Sequence, residues 1–261
     1  MSLTQVHNRF TPLWYRQLEE NSAGSASAAM AERSSSLAQI RLFRSLDREA
    51  VQRLDSQCLW RRAAAKEWIL DHEDEGTDVF FVIVGHARVL VRTVSGKETI
   101  LADIQSGDFF GELSAIDGKP RSASILAITN LVLARMPAAV FRRAIDDFPD
   151  VRAQLLQRLV SRVRELSERI SEFAAFDVRH RIYAELLRLS RPDPADQNQA
   201  LLSPPPIHAE IAARVSTRRE AVARELKALE RAGLLIRRRG ALVVTDVRGL
   251  VHRLEEAREG D

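Results

Sequence analysis

The chain has 261 residues, 45% of them hydrophobic and 29% charged, with a formal net charge of +3. That composition fits a soluble globular protein of one large domain or, more typically, two. A single cysteine, Cys58, excludes a disulfide framework, a zinc knuckle and an iron–sulfur cluster ligated by one chain, and reads as a buried thiol. No apolar run approaches the roughly 20 residues that cross a bilayer. Met1 to Glu20 shows no basic-then-apolar signal pattern. A cytoplasmic protein without membrane attachment is expected. From Arg179 to Asp261 there are 16 Lys/Arg against 12 Asp/Glu, whereas the remainder carries 23 against 24. The basic surplus lies in the C-terminal third, where an anionic polymer would dock.

Taken in chain order, residues 1–36 form an N-terminal extension whose Ser/Ala-rich part, Asn21 to Ser36, reads as a flexible tether. Ile40, Phe43, Leu46, Val51 and Leu54 suit short helices. Strands then dominate: Val79 to Val84, closed by Gly85; Ala87 to Arg92; a tight turn at Ser95-Gly96; Glu98 to Leu101; a turn at Gly107-Asp108; and Ala123 to Ile128 followed by Val132 to Arg135. Many short strands with frequent turns predict an antiparallel barrel or roll over 37–148. After Pro137 the period changes. Leu156, Leu159, Val163, Leu166, Ile170 and Phe173 are spaced 3, 4, 3, 4, 3, the seam of a two-stranded coiled coil, so 149–176 is expected to be a dimerisation helix and hinge. Asp177 is a good N-cap for a helix from Val178 to Leu189. Pro192, Pro194 and Pro204 to Pro206 bracket an expected loop. A helix from Ile207 to Val215, a short turn, a helix from Arg218 to Ala232, a stop at Gly233 and a hairpin around Gly240 complete a C-terminal domain over 177–261.

The most informative stretch is Gly107 to Ala123, GDFFGELSAIDGKPRSA. A cyclic nucleotide offers one anionic phosphate, a ribose hydroxyl and a flat base. Gly111 permits close backbone approach, and a short helix from Glu112 would aim amides of the Leu113-Ser114 turn at the phosphate. Arg121 can neutralise that phosphate through a bidentate fork, Ser122 can add a hydroxyl beside Ala123, and Glu112 can accept from the ribose. The stretch resembles the phosphate-binding cassette of cyclic-nucleotide-binding domains through Phe110-Gly111-Glu112-Leu113 and Pro120-Arg121-Ser122-Ala123. In that family, residues on the long dimer helix contact the base, which implies Leu166 and Ser167 here. Leu166 cannot supply a hydroxyl where the family often has threonine. The resemblance implies cyclic AMP as an allosteric ligand, with cyclic GMP or dual recognition as the alternative, and no metal.

In Ile207 to Leu235, Ile211, Val215, Val222, Leu226 and Leu229 form the interior of two helices, while Arg218, Arg219, Glu220 and Arg224 project from the second. Arg219 can fork onto guanine and Glu220 can accept from cytosine N4. The basic hairpin at Arg237, Arg238 and Arg239 would lie along phosphates. This region resembles the winged helix-turn-helix of the cyclic AMP receptor protein and fumarate-nitrate regulator (Crp–Fnr) family of bacterial transcription regulators. It departs from that pattern at Ser216, where the family often has glycine, and at Ala221. The resemblance implies an α+β chain: an N-terminal cyclic-nucleotide-binding β-roll, a long dimerisation helix and a C-terminal winged helix-turn-helix. It further implies a homodimer, a palindromic double-stranded operator and RNA polymerase as partners. Catalysis is not expected, since no phosphate-binding loop, metal-ligand spacing or nucleophile motif occurs. Two rival readings remain: a ligand-independent regulator controlled by abundance or Cys58 oxidation, and a cyclic-nucleotide-binding subunit of an enzyme.

Overall fold

The computed structural model describes residues 35–92 and 98–259. The expected N-terminal tether up to residue 34, and the Ser95-Gly96 turn, lie outside the described residues. The chain divides into two compact units, the first ending at Arg162 and the second beginning at Val163.

The first unit opens with 3-10 turns at Leu37–Gln39 and Arg41–Phe43 and a helix α1 (Arg48–Asp55), capped by the Asp47 carboxylate accepting from the Ala50 N–H. Eight strands follow: β1 (Leu59–Ala63), β2 (Trp68–Leu70), β3 (Val79–Val84), β4 (His86–Arg92), β5 (Glu98–Gln105), β6 (Phe109–Phe110), β7 (Ser124–Ala127) and β8 (Leu131–Met136). A short helix α2 (Glu112–Asp117) interrupts them, and α3 (Ala138–Asp147) follows. The strands form two four-stranded antiparallel sheets, β1-β8-β3-β6 and β2-β7-β4-β5, as expected of a roll. The continuous apolar run of β3 has a simple cause: both its faces are covered. Val79, Phe81 and Ile83 pack with Leu37, Phe43 and Phe141 under the helices, while Phe80 and Val82 point between the sheets with Leu131 and Leu133. Burying a phenylalanine such as Phe81 contributes roughly 1.5–3 kcal/mol. Strands β1 and β2 escape pattern reading because β1 is exposed over most of its length and β2 has three residues.

Helix α4 (Pro149–Ala175) carries the boundary between the units within it. Val151 and Leu155 face the first unit's core. Of the heptad stripe, Leu156, Val163, Leu166, Ile170 and Phe173 are exposed, Ile170 by 70%.

In the second unit, α5 (Val178–Leu189) begins at Asp177 as expected, the carboxylate accepting from the His180 N–H at 2.9 Å. The stretch from Pro192 to Pro206, expected as a loop, instead contains a hairpin of β9 (Arg191–Asp193) and β10 (Asp196–Leu202). Its Asp-Gln-Asn-Gln sequence hides it, because only Ala200 and Leu202 are buried. Next come α6 (His208–Arg214), α7 (Arg219–Arg231), β11 (Leu235–Arg238) and β12 (Ala241–Val244), giving a sheet of order β11-β12-β10-β9. A last helix, α8 (Val247–Glu259), was not expected; it packs Leu250, Val251 and Leu254 against the core of this unit. Among the described residues no helix is long and apolar enough to cross a membrane.

Candidate functional site

The first candidate site sits where β6 turns into α2. Gly111, at φ 85°, is the N-cap of α2. A Cβ there would lie 2.7 Å from Arg121 Nη1 and 2.9 Å from Asp78 O, so only glycine lets the guanidinium approach. Glycine also brings no side chain to cap the first-turn N–H groups. Arg121 is 4% exposed. Its Nη1 donates to Gly111 O at 2.9 Å and its Nη2 to Asp78 O at 2.8 Å, while Nε has no hydrogen-bond partner. Burial pulls its pKa below the ordinary arginine value, against the opposing pull of the Asp78, Asp74 and Glu112 carboxylates. A buried cation without a directly paired anion is costly, by several kcal/mol per ion. A phosphate at Nε would offset that cost.

Glu112 is 2% exposed, and its Oε1 accepts from Arg162 Nη1 at 2.5 Å. Arg162 Nη2 donates to Phe109 O at 3.1 Å. Glu112 Oε2 makes no bond among the described residues and stays available as an acceptor. These groups line a pocket that opens to solvent. Gly111, Glu112, Leu113, Ser114, Arg121, Ser122 and Ala123 all belong to its wall, with Leu70, Val89, Ile104, Phe110 and Ile125 supplying an apolar side for a flat base. The sequence reading missed Arg162. It lies four residues before Leu166 on the same helix, and that i, i+4 spacing was the signal available. Leu166 and Ser167, the other expected ligand residues, belong to the second unit; both are exposed, and the Ser167 hydroxyl donates to Val163 O of its own helix. The pocket's wall comes from the first unit alone.

The second candidate site is the helix pair α6–α7. Ile211, Val215, Val222, Leu226 and Leu229 are buried together, which fixes the crossing of the two helices. The turn between them places Ser216 at φ 51°, the left-handed region that glycine adopts more cheaply, so the turn keeps its geometry at a cost of roughly 1–2 kcal/mol. Arg218 precedes the first residue of α7, and Arg218, Arg219, Glu220 and Arg224 are all exposed. Tyr183 of α5 donates to Glu225 Oε1 at 2.6 Å and ties the buried side of α7 to the unit's core. In the β11–β12 hairpin Arg237 is held by Glu230 at 2.8 Å. Arg238 reaches Gln199 Oε1 at 3.4 Å and Asp193 at 3.9 Å, so it is braced against the neighbouring hairpin. Among the described residues no group of His, Cys, Asp and Glu is arranged to hold a metal ion.

Comparison with known proteins agrees with this arrangement. The cyclic nucleotide-binding domain family matches residues 60–148, and the Crp-like helix-turn-helix domain family matches residues 180–253. The chain is 32% identical over 176 residues to the cAMP-activated global transcriptional regulator CRP of Pasteurella multocida, covering 67% of this chain and 84% of that one. It is 30% identical over 189 residues to the cAMP-activated global transcriptional regulator Vfr of Pseudomonas aeruginosa, covering 71% and 88%. Its fold is similar to the c-di-GMP-responsive global regulator CLP of Xanthomonas campestris, with TM-score 0.65, 24% identity and coverage of 76% and 99%. CooA from Carboxydothermus hydrogenoformans gives TM-score 0.68 at 20% identity, covering 83% and 95%.

A nucleotide-binding β-roll joined through a long helix to a winged helix-turn-helix defines a DNA-binding transcription regulator with a cyclic-nucleotide-binding domain, not an enzyme. The chain belongs to the Crp–Fnr family.

Proposed function

We propose that the protein is a cyclic-AMP-responsive homodimeric transcription regulator in which a nucleotide held by Arg121 and Glu112 sets the placement of two α7 helices on a palindromic operator. The observation that carries this reading is the buried Arg121, whose Nε is unpartnered at the wall of a pocket with an acceptor, Glu112 Oε2, on the same wall. A cyclic phosphate would sit on the guanidinium and the α2 amides, the ribose hydroxyl on Glu112 and the base against Val89 and Ile125. Cyclic AMP is favoured over cyclic GMP because the CRP and Vfr relatives are cAMP-activated regulators. Leu166 and Ser167 would approach the base from the long helix of either subunit.

The exposed stripe from Leu156 to Phe173 supports dimerisation through α4, since five large apolar side chains on one face are costly to leave in water. Two recognition helices about 34 Å apart would then enter successive major grooves. Arg218, Arg219, Glu220 and Arg224 are the proposed base and phosphate contacts, with Arg238 on the wing and RNA polymerase as the partner on the promoter. Calorimetric titration with cyclic AMP and with cyclic GMP tests the reading. Saturable binding of cyclic AMP is expected, with cyclic GMP weaker; no heat from either ligand would refute it.

A further inference from the structure

A second concentration of charge is buried well away from the pocket residues in sequence. In the second unit Glu185 of α5 has no exposed surface. Its Oε2 is bonded by Arg188 Nη1 and lies 3.6 Å from Arg169 Nη2, and its Oε1 lies 3.7 Å from Arg214 Nη1. Arg188 also donates to both oxygens of Glu172, at 2.6 and 2.7 Å. Arg169 donates to Arg214 O at 2.7 Å, and Arg214 pairs with Glu210 at 3.2 Å. Arg169, Arg188 and Arg214 thus meet Glu172, Glu185 and Glu210. Arg181 lines the same cleft, its Nε buried and without a hydrogen-bond partner.

What the network joins is informative. Arg169 and Glu172 are on the last turns of α4, Glu185 and Arg188 on α5, and Glu210 and Arg214 on α6. The short break between α4 and α5 is itself packed: Phe176 is buried with its N–H on Glu172 O, and Arg181 lies 4.9 Å over the Phe173 ring. Apolar packing already resists displacement of these helices. Buried ions add a directional constraint, because any displacement that strands one of them costs several kcal/mol.

We propose that Glu185 is a positioning residue that clamps the end of α4 to the first helix of the DNA-reading pair, so that the Phe173–Asp177 joint has one setting while the clamp is closed. The direction of α7 then follows the direction of the last turns of α4, and opening the clamp is the step that frees the joint. The inference rests on the reading of α4 as the link between ligand and DNA, but its first test does not use nucleotide.

That test uses the full-length chain carrying Arg169→Gln with Glu172→Gln. The pair removes one charge of each sign from α4 and leaves Glu185 with Arg188 and Arg214. Amide hydrogen exchange between residues 173 and 181 is expected to speed up by about tenfold or more, with the amides of Val222 to Leu229 unchanged. Unchanged exchange at the joint overturns the proposal, and so does an equal rise in both segments, which is a general loss of stability. In DNA titrations, the ratio of affinities with and without cyclic AMP should change by about tenfold or more. An unaltered ratio beside a lowered Tm overturns the clamp as a positioning device. Glu185→Gln, which keeps the shape and removes the central charge, should reproduce both effects. If the unmodified chain binds no cyclic nucleotide, the functional reading fails while the exchange result still decides the clamp.

Discussion

Replacing Arg121 separates ligand binding from folding. Its guanidinium carries five N–H donors. One on Nη1 and one on Nη2 are engaged by Gly111 O and Asp78 O, so Nε–H and the second hydrogens remain for a ligand. Two charge-assisted bonds to a phosphate are worth roughly 1.5–3 kcal/mol each. After allowance for water entering the emptied space, about 3 kcal/mol should be lost in Arg121→Ala, a Kd weakened by about 10²-fold. Arg121→Lys keeps the charge but cannot span two carbonyls and a phosphate at once, so it should still weaken binding by about tenfold or more. The fold should survive both changes. Two carbonyls lose their donor at roughly 1–3 kcal/mol each, while a buried ion costing several kcal/mol is removed. The two effects oppose, and Tm should move by no more than about 5 °C. Calorimetry with cyclic AMP alongside thermal melts checks both halves. A Kd for the alanine variant within about threefold of the parent, or less than about 0.7 kcal/mol, would refute the role given to the guanidinium.

Further expectations concern other parts of the molecule. Val163→Glu with Ile170→Glu places like charges on the exposed stripe and should convert a dimer to a monomer in sedimentation velocity, with the β-roll's nucleotide affinity less affected than DNA binding. Burial, assisted by the Asp55 carboxylate, pushes the Cys58 thiol up to about 12, so a thiol reagent at pH 8 should label it only on unfolding. Rapid labelling of the folded chain would favour control by oxidation. Burial and the bond to Glu225 push the Tyr183 hydroxyl up to about 12. Its folded pKa is above its unfolded value, so its contribution to stability is full below pH 10 and lost as pH rises towards 12. Thermal melts across that window should show a decline that is smaller in Tyr183→Phe.

Much of this architecture was legible because local chemistry and global packing agree. The β3 run, the Asp177 cap, the helical period of α4 and the α6–α7 interior are each a periodicity or a cap that tertiary structure did not override. The seven residues of 111–123 singled out from their spacing and type line one pocket. What escaped shares another property. The β9–β10 hairpin and β1 show little apolar alternation, and β2 and β6 are too short for any period. Arg162 and the Glu185 network are long-range pairings between helices, and one sequence read alone does not say which arginine meets which glutamate. Ser216, where the family often has glycine, adopts a left-handed backbone.

The central claim is that a nucleotide at Arg121 controls DNA reading by α7. Its most direct measurement is fluorescence anisotropy of an operator duplex, selected from a random pool, titrated with the full-length protein with and without saturating cyclic AMP. Tighter binding by about tenfold or more with the nucleotide is expected, equivalent to about 1.4 kcal/mol of coupling. The same affinity in both titrations, from protein shown by calorimetry to be loaded, would contradict the claim.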